Sequence, residues 1–508
     1  MTFSIPHNIM LKSRHSFHLF SILLLIVLCF SACSQKQDED NRHVVTSLQE
    51  LKGHKLAILT GSVQDIKISA FCNEEDLTRL SSSTELLTAV ENGVAEYTLF
   101  DEIAILNVNL SERGLMVAFN DESDGCAGDA AFAFNKNNSE LCRQLNDFLK
   151  TIKDNGTLGE IIGRWSSKKI DTVPIPNIPQ PKGKPIIVGT SGCDMPFSFI
   201  KDNQWAGIEI EILQRFGQSI GRPIHFEDYD FSALIAALNS NRINIAAEFM
   251  FITKERAEQV LFSDPYYHCS TLCVTRSNGQ VSEKVGFIDK IKIGFKRNFL
   301  EEDRWKLLLK GLWETVVISF WSLIIGTLLG AGLCAMRMSK RKGWQGFAKA
   351  YISIMRGVPI LVFLMIMFYI IFAKTGISGT WIAIFAFSLN LAAYVSEMFR
   401  TGINSVDPGQ TEAGRAMGFS KVKTFLLIVV PQAVKQILPV YKGEAISLIK
   451  NTSIVGYIAI QDLTKVSDII RSRTFDAFFP LIVISIIYLI LAWLLGLLLD
   501  YLHKKSLK

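Results

Sequence analysis

After Trp305 the sequence becomes a series of apolar stretches separated by short basic ones, a pattern that a water-soluble core does not absorb. Five candidate spans stand out, at residues 312–336, 359–373, 381–395, 425–440 and 479–499. A helix needs about 20 apolar residues to cross a bilayer. The second, third and fourth stretches are short or polar, interrupted by Pro431, Asn390 and Glu397, which predicts shielding by neighbouring protein. Arg337, Lys340, Arg341 and Lys342 follow the first span; Arg400, Arg415, Lys421 and Lys423 lie between the third and fourth; His503, Lys504 and Lys505 follow the last. The positive-inside bias makes these flanks cytoplasmic, and an odd number of spans then places everything before Trp305 outside. Arg471 and Arg473 fall on the outer side and run against that bias. Asn390, Glu397 and Glu444 lie at some depth, where they either line a pathway or sit near interfaces and bond neighbouring helices.

The N-terminus supports export. Lys12 and Arg14 precede an apolar run at 19–30, followed by small Ser31 and Ala32 and then Cys33. Residues 1–33 are therefore a signal peptide ending in FSAC, similar to a bacterial lipobox with Cys33 as the lipidated residue, or an uncleaved anchor helix. Net charge is +5 over 508 residues with no long basic run, which argues against a nucleic-acid partner. The remaining cysteines form no CxxC pair and no His/Cys spacing suited to zinc, so no metal site is expected.

Between these ends the chain reads as α/β. In residues 44–165, KLAILTG and AEYTLFD are strands around the amphipathic SSTELLTAVENG, and two helical segments follow, broken at Asn155-Gly156. Residues 166–184 carry four prolines and read as an extended surface linker. A second α/β unit occupies 185–280: PIIVGTSG, PIHFEDYDF and INIAAEF are strands, IEIEILQRFGQSIG and SALIAALNSNRI helices.

Two resemblances give these parts a role. QTEAGRAMGFSKVKTFLLIVVPQA resembles the cytoplasmic EAA loop of ABC-importer permeases, with Glu412, Ala413, Gly418 and Pro431 matching the pattern. The resemblance implies a short coupling helix, ended by Gly418, that docks on a separate ATP-hydrolysing subunit. GLWETVVISFWSLIIG, YISIMRGVPILVFL, NLAAYVSEMFRTGINSV and EAISLIKNTSIVGYIAIQDL extend it to polar-amino-acid permeases over 305–505. The segment from Pro185 to Arg276 (MPFSF, GIEIEIL, DFSALIAAL, ITKER, FSDPYY) resembles the first lobe of family 3 amino-acid-binding proteins, two-lobed clamshells. The later portion of that family lies earlier here, in SLQELKGHKLAILTGSVQD, LLTAVENGVAEYTLFDE and LNDFLKTIKDNGTLGEIIGRW. The expected architecture is a circularly permuted α/β clamshell, lobe two with its closing helices first and lobe one second, fused to an all-α transmembrane bundle.

The resemblance also assigns a ligand site. Arg256 in ITKER aligns with the arginine that pairs with the ligand carboxylate, Asp101 in LFDE with the acceptor of its ammonium, and Phe231 with an aromatic packed on the ligand. Gly61, Ser62 and Gln64 offer turn amides and a hydroxyl for an anionic group. The chain departs from the family at Phe249 and Phe251, at Ser191 where an acid is expected, and at Asp194 where an aromatic is expected. No GxxxxGK[ST] loop occurs, so ATP and its hydrolysis belong to a partner subunit and no cofactor is expected in this chain. The expected protein is a multi-pass inner-membrane import subunit rather than an enzyme. Its partners are an ATP-binding subunit, an amino acid, membrane lipid and a second permease copy. An amino-acid-gated channel would have no use for the EAA loop, and a clamshell dehydratase would need an acid–base pair in place of binding groups.

Overall fold

A computed structural model describes residues 44–105, 108–121, 128–166, 170–277, 287–373 and 375–507. The signal or anchor segment, with Cys33, lies outside the described residues. The chain before the membrane helices forms two α/β lobes, each built on a five-stranded sheet.

Strands β1 (Leu56–Leu59), β2 (Leu77–Leu80), β3 (Tyr97–Asp101) and β4 (Leu115–Asp121) begin lobe two. The short apolar run of β1 is buried between parallel neighbours β2 and β3, as a central strand of a mixed sheet should be. The chain then passes through β5 (Gly128–Ala130) and β6 (Ala133–Phe134) into lobe one. There β7 (Ile186–Thr190), β11 (Ile224–Asp228), β12 (Ile245–Ala246) and β13 (Leu261–Phe262) complete a sheet of order β11-β7-β12-β6-β13. A small antiparallel sheet, β8 (Cys193–Asp194), β9 (Ser198–Lys201) and β10 (Gln204–Ala206), flanks it. The return path is β14 (Tyr267–Cys269) and β15 (Thr271–Arg276), and β15 inserts antiparallel between β3 and β4 of lobe two. Each lobe thus holds one strand from the other's stretch of sequence. Strands β5 and β14 run antiparallel side by side where the chain crosses, which makes a two-strand hinge.

Helices Ser139–Asp154 and Thr157–Trp165 follow β6 and pack on lobe one, where Leu145, Ile161 and Trp165 join Phe216 and Ile212 in one core. Glu211 fixes them from helix Ile208–Ser219. Its buried carboxylate accepts from Trp165 Nε1 at 2.8 Å and pairs with Arg164 and Arg215. The proline-rich segment runs over the same lobe, with Ile170 and Val173 buried and their carbonyls accepting from Lys201 Nζ.

The C-terminal part is helical. Trp305–Arg337, Gly379–Asn404, Lys421–Ile458 and Phe479–Lys505 are each long and apolar enough to cross a membrane. The stretch expected at 359–373 is not one continuous span. It is the second limb of a bent pair, Lys342–Gly357 and Ile360–Ile371, turned by 106° at Pro359, so the count among the described residues is four, or five if the pair is one span. Proline at this point lacks an amide and disfavours helix in the residue before it, which accounts for the break. Helices Trp305–Arg337 and Gly379–Asn404 approach closely through glycines. A Cβ on Gly330 would lie 2.7 Å from Val395, and one on Gly326 2.9 Å from Leu391. Asn390 donates to Met355 O at 3.0 Å and so bonds a neighbouring helix, while Glu397 pairs with Arg400 and Arg337 at the basic end of its helix.

Because Glu211 serves three donors from a buried position, Glu211→Ala is expected to cost about 2–3 kcal/mol, the range for hydrogen bonds to charged groups. Denaturant unfolding followed by tryptophan fluorescence should show the loss.

Candidate functional site

Between the lobes, the sequence-selected residues fall into two linked groups. Arg256 lies in a short helix whose N-cap, Thr253, accepts from Arg256 N at 3.3 Å. Its guanidinium donates to Phe251 O at 2.9 Å and, across the cleft, to Gly61 O at 3.0 Å, and it stands 5.2 Å from the Phe231 ring. On lobe two, Gln64 Nε2 donates to Asp101 Oδ1 at 2.7 Å, at the end of β3, and to Thr271 Oγ1 at 3.3 Å. Ser62 caps helix Val63–Ile68, accepting from Asp65 N, while Gly61 N donates to the Asp65 carboxylate at 2.9 Å. That Gly61 amide therefore already has an anion.

Partial burial shifts both charged groups. Burial lowers the Arg256 guanidinium from its usual range, and the described residues offer it carbonyl oxygens but no ion-paired carboxylate. Burial pushes the Asp101 carboxyl up to about 6, with Gln64 opposing.

The sequence reading missed a contact between the clamshell and the helical part. Helix Leu463–Thr474, between the last two long helices, touches both lobes. On lobe one, Lys465 Nζ lies 2.7 Å from Asp230 and 3.2 Å from Asp228, and Gln461 donates to Asp228 at 2.8 Å. On lobe two, Arg471 pairs with Glu85 at 3.0 Å, Thr84 Oγ1 donates to Arg471 O, and Arg113 donates to Phe475 O. Arg473 is buried against Met195 and 5.3 Å from the Phe199 ring. Burial by itself would drive the Lys465 ammonium down, yet Asp228 and its neighbours hold it well above the ordinary value. Burial pushes Asp228 up to about 6, with Lys465 opposing. The two arginines that broke the charge bias thus have local partners, and that anomaly was the one signal in the sequence that pointed here.

At the far end, Pro408–Ala416 is a short helix carrying Glu412 and Ala413 on its exposed surface. It ends where Gly418 turns left-handed at φ 87°, a conformation that favours glycine. Gly414 packs on Thr424 and Ile428 with no room for a side chain, which locks this helix to the start of the next long one. Met417 and Val422 project into open space beside it.

A helical membrane part with an exposed, rigidly held helix between its long spans describes the permease component of a transporter. Residues 322–508 match the family of binding-protein-dependent transport system inner membrane components. Over 203 residues the chain is 36% identical to the putative glutamine transport system permease GlnP of Rickettsia conorii, covering 39% of this chain and 92% of that protein. It is 38% identical over 200 residues to the probable amino-acid ABC transporter permease YckA of Bacillus subtilis, covering 39% and 88%. A solved chain of an amino acid ABC transporter with histidines is 33% identical, covering 44% of this chain and all (100%) of that one, with a TM-score of 0.38. The chain belongs to the amino-acid permeases of ABC transporters.

Removing Lys465 leaves two carboxylates facing each other in a buried interface. Lys465→Met is expected to weaken the lobe–permease contact by about 3 kcal/mol, the low end for breaking a buried ion pair. Hydrogen exchange at 224–230 and 463–474 should rise together, and Asp228→Asn in the same chain should restore part of the protection.

Proposed function

We propose that this chain is the membrane subunit of an ATP-driven importer of polar amino acids, carrying its own binding domain on the extracytoplasmic side. The observation that carries the reading is Arg256: a half-buried guanidinium between two hinged lobes, held by carbonyls, with Asp101 on the lobe opposite. A half-buried cation with no carboxylate beside it is readily answered by the anion of a ligand. An α-amino acid supplies a carboxylate for Arg256 and an ammonium for Asp101. Phe231 would pack on the ligand, Gln64 orients Asp101, and Gly61 and Ser62 shape the adjoining turn.

The order of the lobes is explained by circular permutation. Helices 139–165, the linker and β7 all belong to one lobe, so a join between former termini and a new opening in the other lobe accounts for the chain path. The exposed face around Glu412 and Ala413, ended by Gly418, is suited to a groove on a separate ATP-binding subunit. Two copies of the permease would frame the pathway. Fusion keeps the binding domain at high effective concentration beside its permease, and lipidation at Cys33 or an anchor helix would tether the other end.

Uptake into proteoliposomes that contain the full chain and its ATP-binding partner tests the reading. Arg256→Ala is expected to weaken binding by at least ~2 kcal/mol, because it strands a desolvated ligand carboxylate. Glu412→Arg should leave binding intact and abolish ATP-dependent uptake. Unchanged affinity in the first variant, or uptake or current without any ATPase, would sink the proposal.

Acidity gives a second check. Burial holds the Asp101 carboxyl at about 6, and a ligand ammonium needs it ionised. A proton therefore competes with the ligand below that value. Affinity should hold above pH 6 and fall by up to ~10-fold per unit below it, read by titration calorimetry at several pH values.

A further inference from the structure

A second set of carboxylates lies on lobe one, beyond the groups assigned to the ligand's backbone. Glu248 follows β12 and is buried; it accepts from Ser191 N at 2.6 Å, from Thr190 Oγ1 at 2.8 Å and from the Ser191 hydroxyl. Glu209, fully buried, accepts on Oε1 from Tyr266 Oη at 2.6 Å and from Phe249 N at 3.0 Å, while its Oε2 is buried with no hydrogen-bond partner. Asp194, at the end of β8, has no ion-pair partner among the described residues. Glu248 and Glu209 both raise the Asp194 carboxyl, Glu248 also raises Glu209, and Asp194 feels Asp101 across the cleft. Burial is the larger cause in each, lifting Glu209 to about 8 and Glu248 to about 7. Lys465, on the permease side, opposes the rise at Glu248.

Between this acidic end and Arg256 the path is aromatic. The Phe249 ring stacks on Phe197 at 3.7 Å and meets Phe251 at 4.9 Å, and the Phe251 carbonyl holds Arg256. Phe249 adopts φ 43°, a left-handed conformation that costs a bulky residue energy and is retained where the surroundings demand it.

We propose that the cleft selects an amino acid whose side chain ends in a cation, with that terminus against Asp194, Glu209 and Glu248 and its methylene stem along Phe249 and Phe251. This rests on the importer reading above and deepens it. In this arrangement Arg256 takes the carboxylate, Asp101 the α-ammonium, and a side-chain cation supplies the donor that the acidic group lacks, above all at the unpartnered Glu209 oxygen. The stacked rings favour an ammonium or guanidinium over a neutral amide. A carboxylate side chain would be repelled, which is discrimination by the unfavourable partner.

Equilibrium binding of radiolabelled lysine, arginine, glutamine and glutamate to the purified full chain tests this. Lysine or arginine is expected to bind at least ~30-fold tighter than glutamine, with glutamate weakest. Asp194→Asn, which keeps the size of the side chain, and Glu248→Gln, which keeps an acceptor for Ser191, should each weaken the basic ligand at least ~10-fold and shift glutamine by under ~3-fold. Glutamine binding as tightly as the basic amino acids, or indifference of both variants, would overturn the inference and leave the importer reading standing. Failure of every amino acid to bind would remove both.

Discussion

A buried lysine joins the two halves of this molecule. Lys465 belongs to the permease by sequence, yet its ammonium is enclosed by Asp228 and Asp230 of lobe one. A charge withdrawn from water is tolerable only where its counter-charges are fixed in place. That condition sets the position of lobe one over helix Leu463–Thr474, and the same helix then brings Arg471 to Glu85 on lobe two. The relation between the lobes and the relation of both to the membrane helices are thereby tied to one short element.

The arrangement has a mechanical consequence. Lobes hinged by two adjacent strands can rotate about β5 and β14, whereas a helix that grips both of them fits one degree of closure better than others. The cleft uses the same economy. Arg256 reaches across to Gly61 while Gln64 organises Asp101, so opening the lobes separates the groups that would share a ligand. At the loop that carries Glu412, Gly414 leaves no slack between that helix and the next long one, so the two move together.

Much of this was legible in order. The apolar stretches after Trp305 marked where most of the long helices lie, and the EAA-like string marked a short helix that the structure ends at Gly418. Pro359 carried the information for the bend, but a continuous apolar count passed over it. Ser191 and Asp194 stood out as departures without explaining themselves. The fold supplies the reason, since Ser191 is a donor to Glu248, a carboxylate 57 residues away that no local pattern distinguishes from a surface one.

Local periodicity, hydrophobic length and turn chemistry were enough to determine many of the strands and helices, among them the helix bearing Glu412. They act over a few residues and are written directly in the order of side chains. The exchange of β6 and β15 between lobes, the gathering of Asp194, Glu209 and Glu248, and the pairing of Lys465 with Asp230 over 235 positions were decided by tertiary structure. Those depend on which groups are excluded from water together, a property of the packed chain that no segment holds alone.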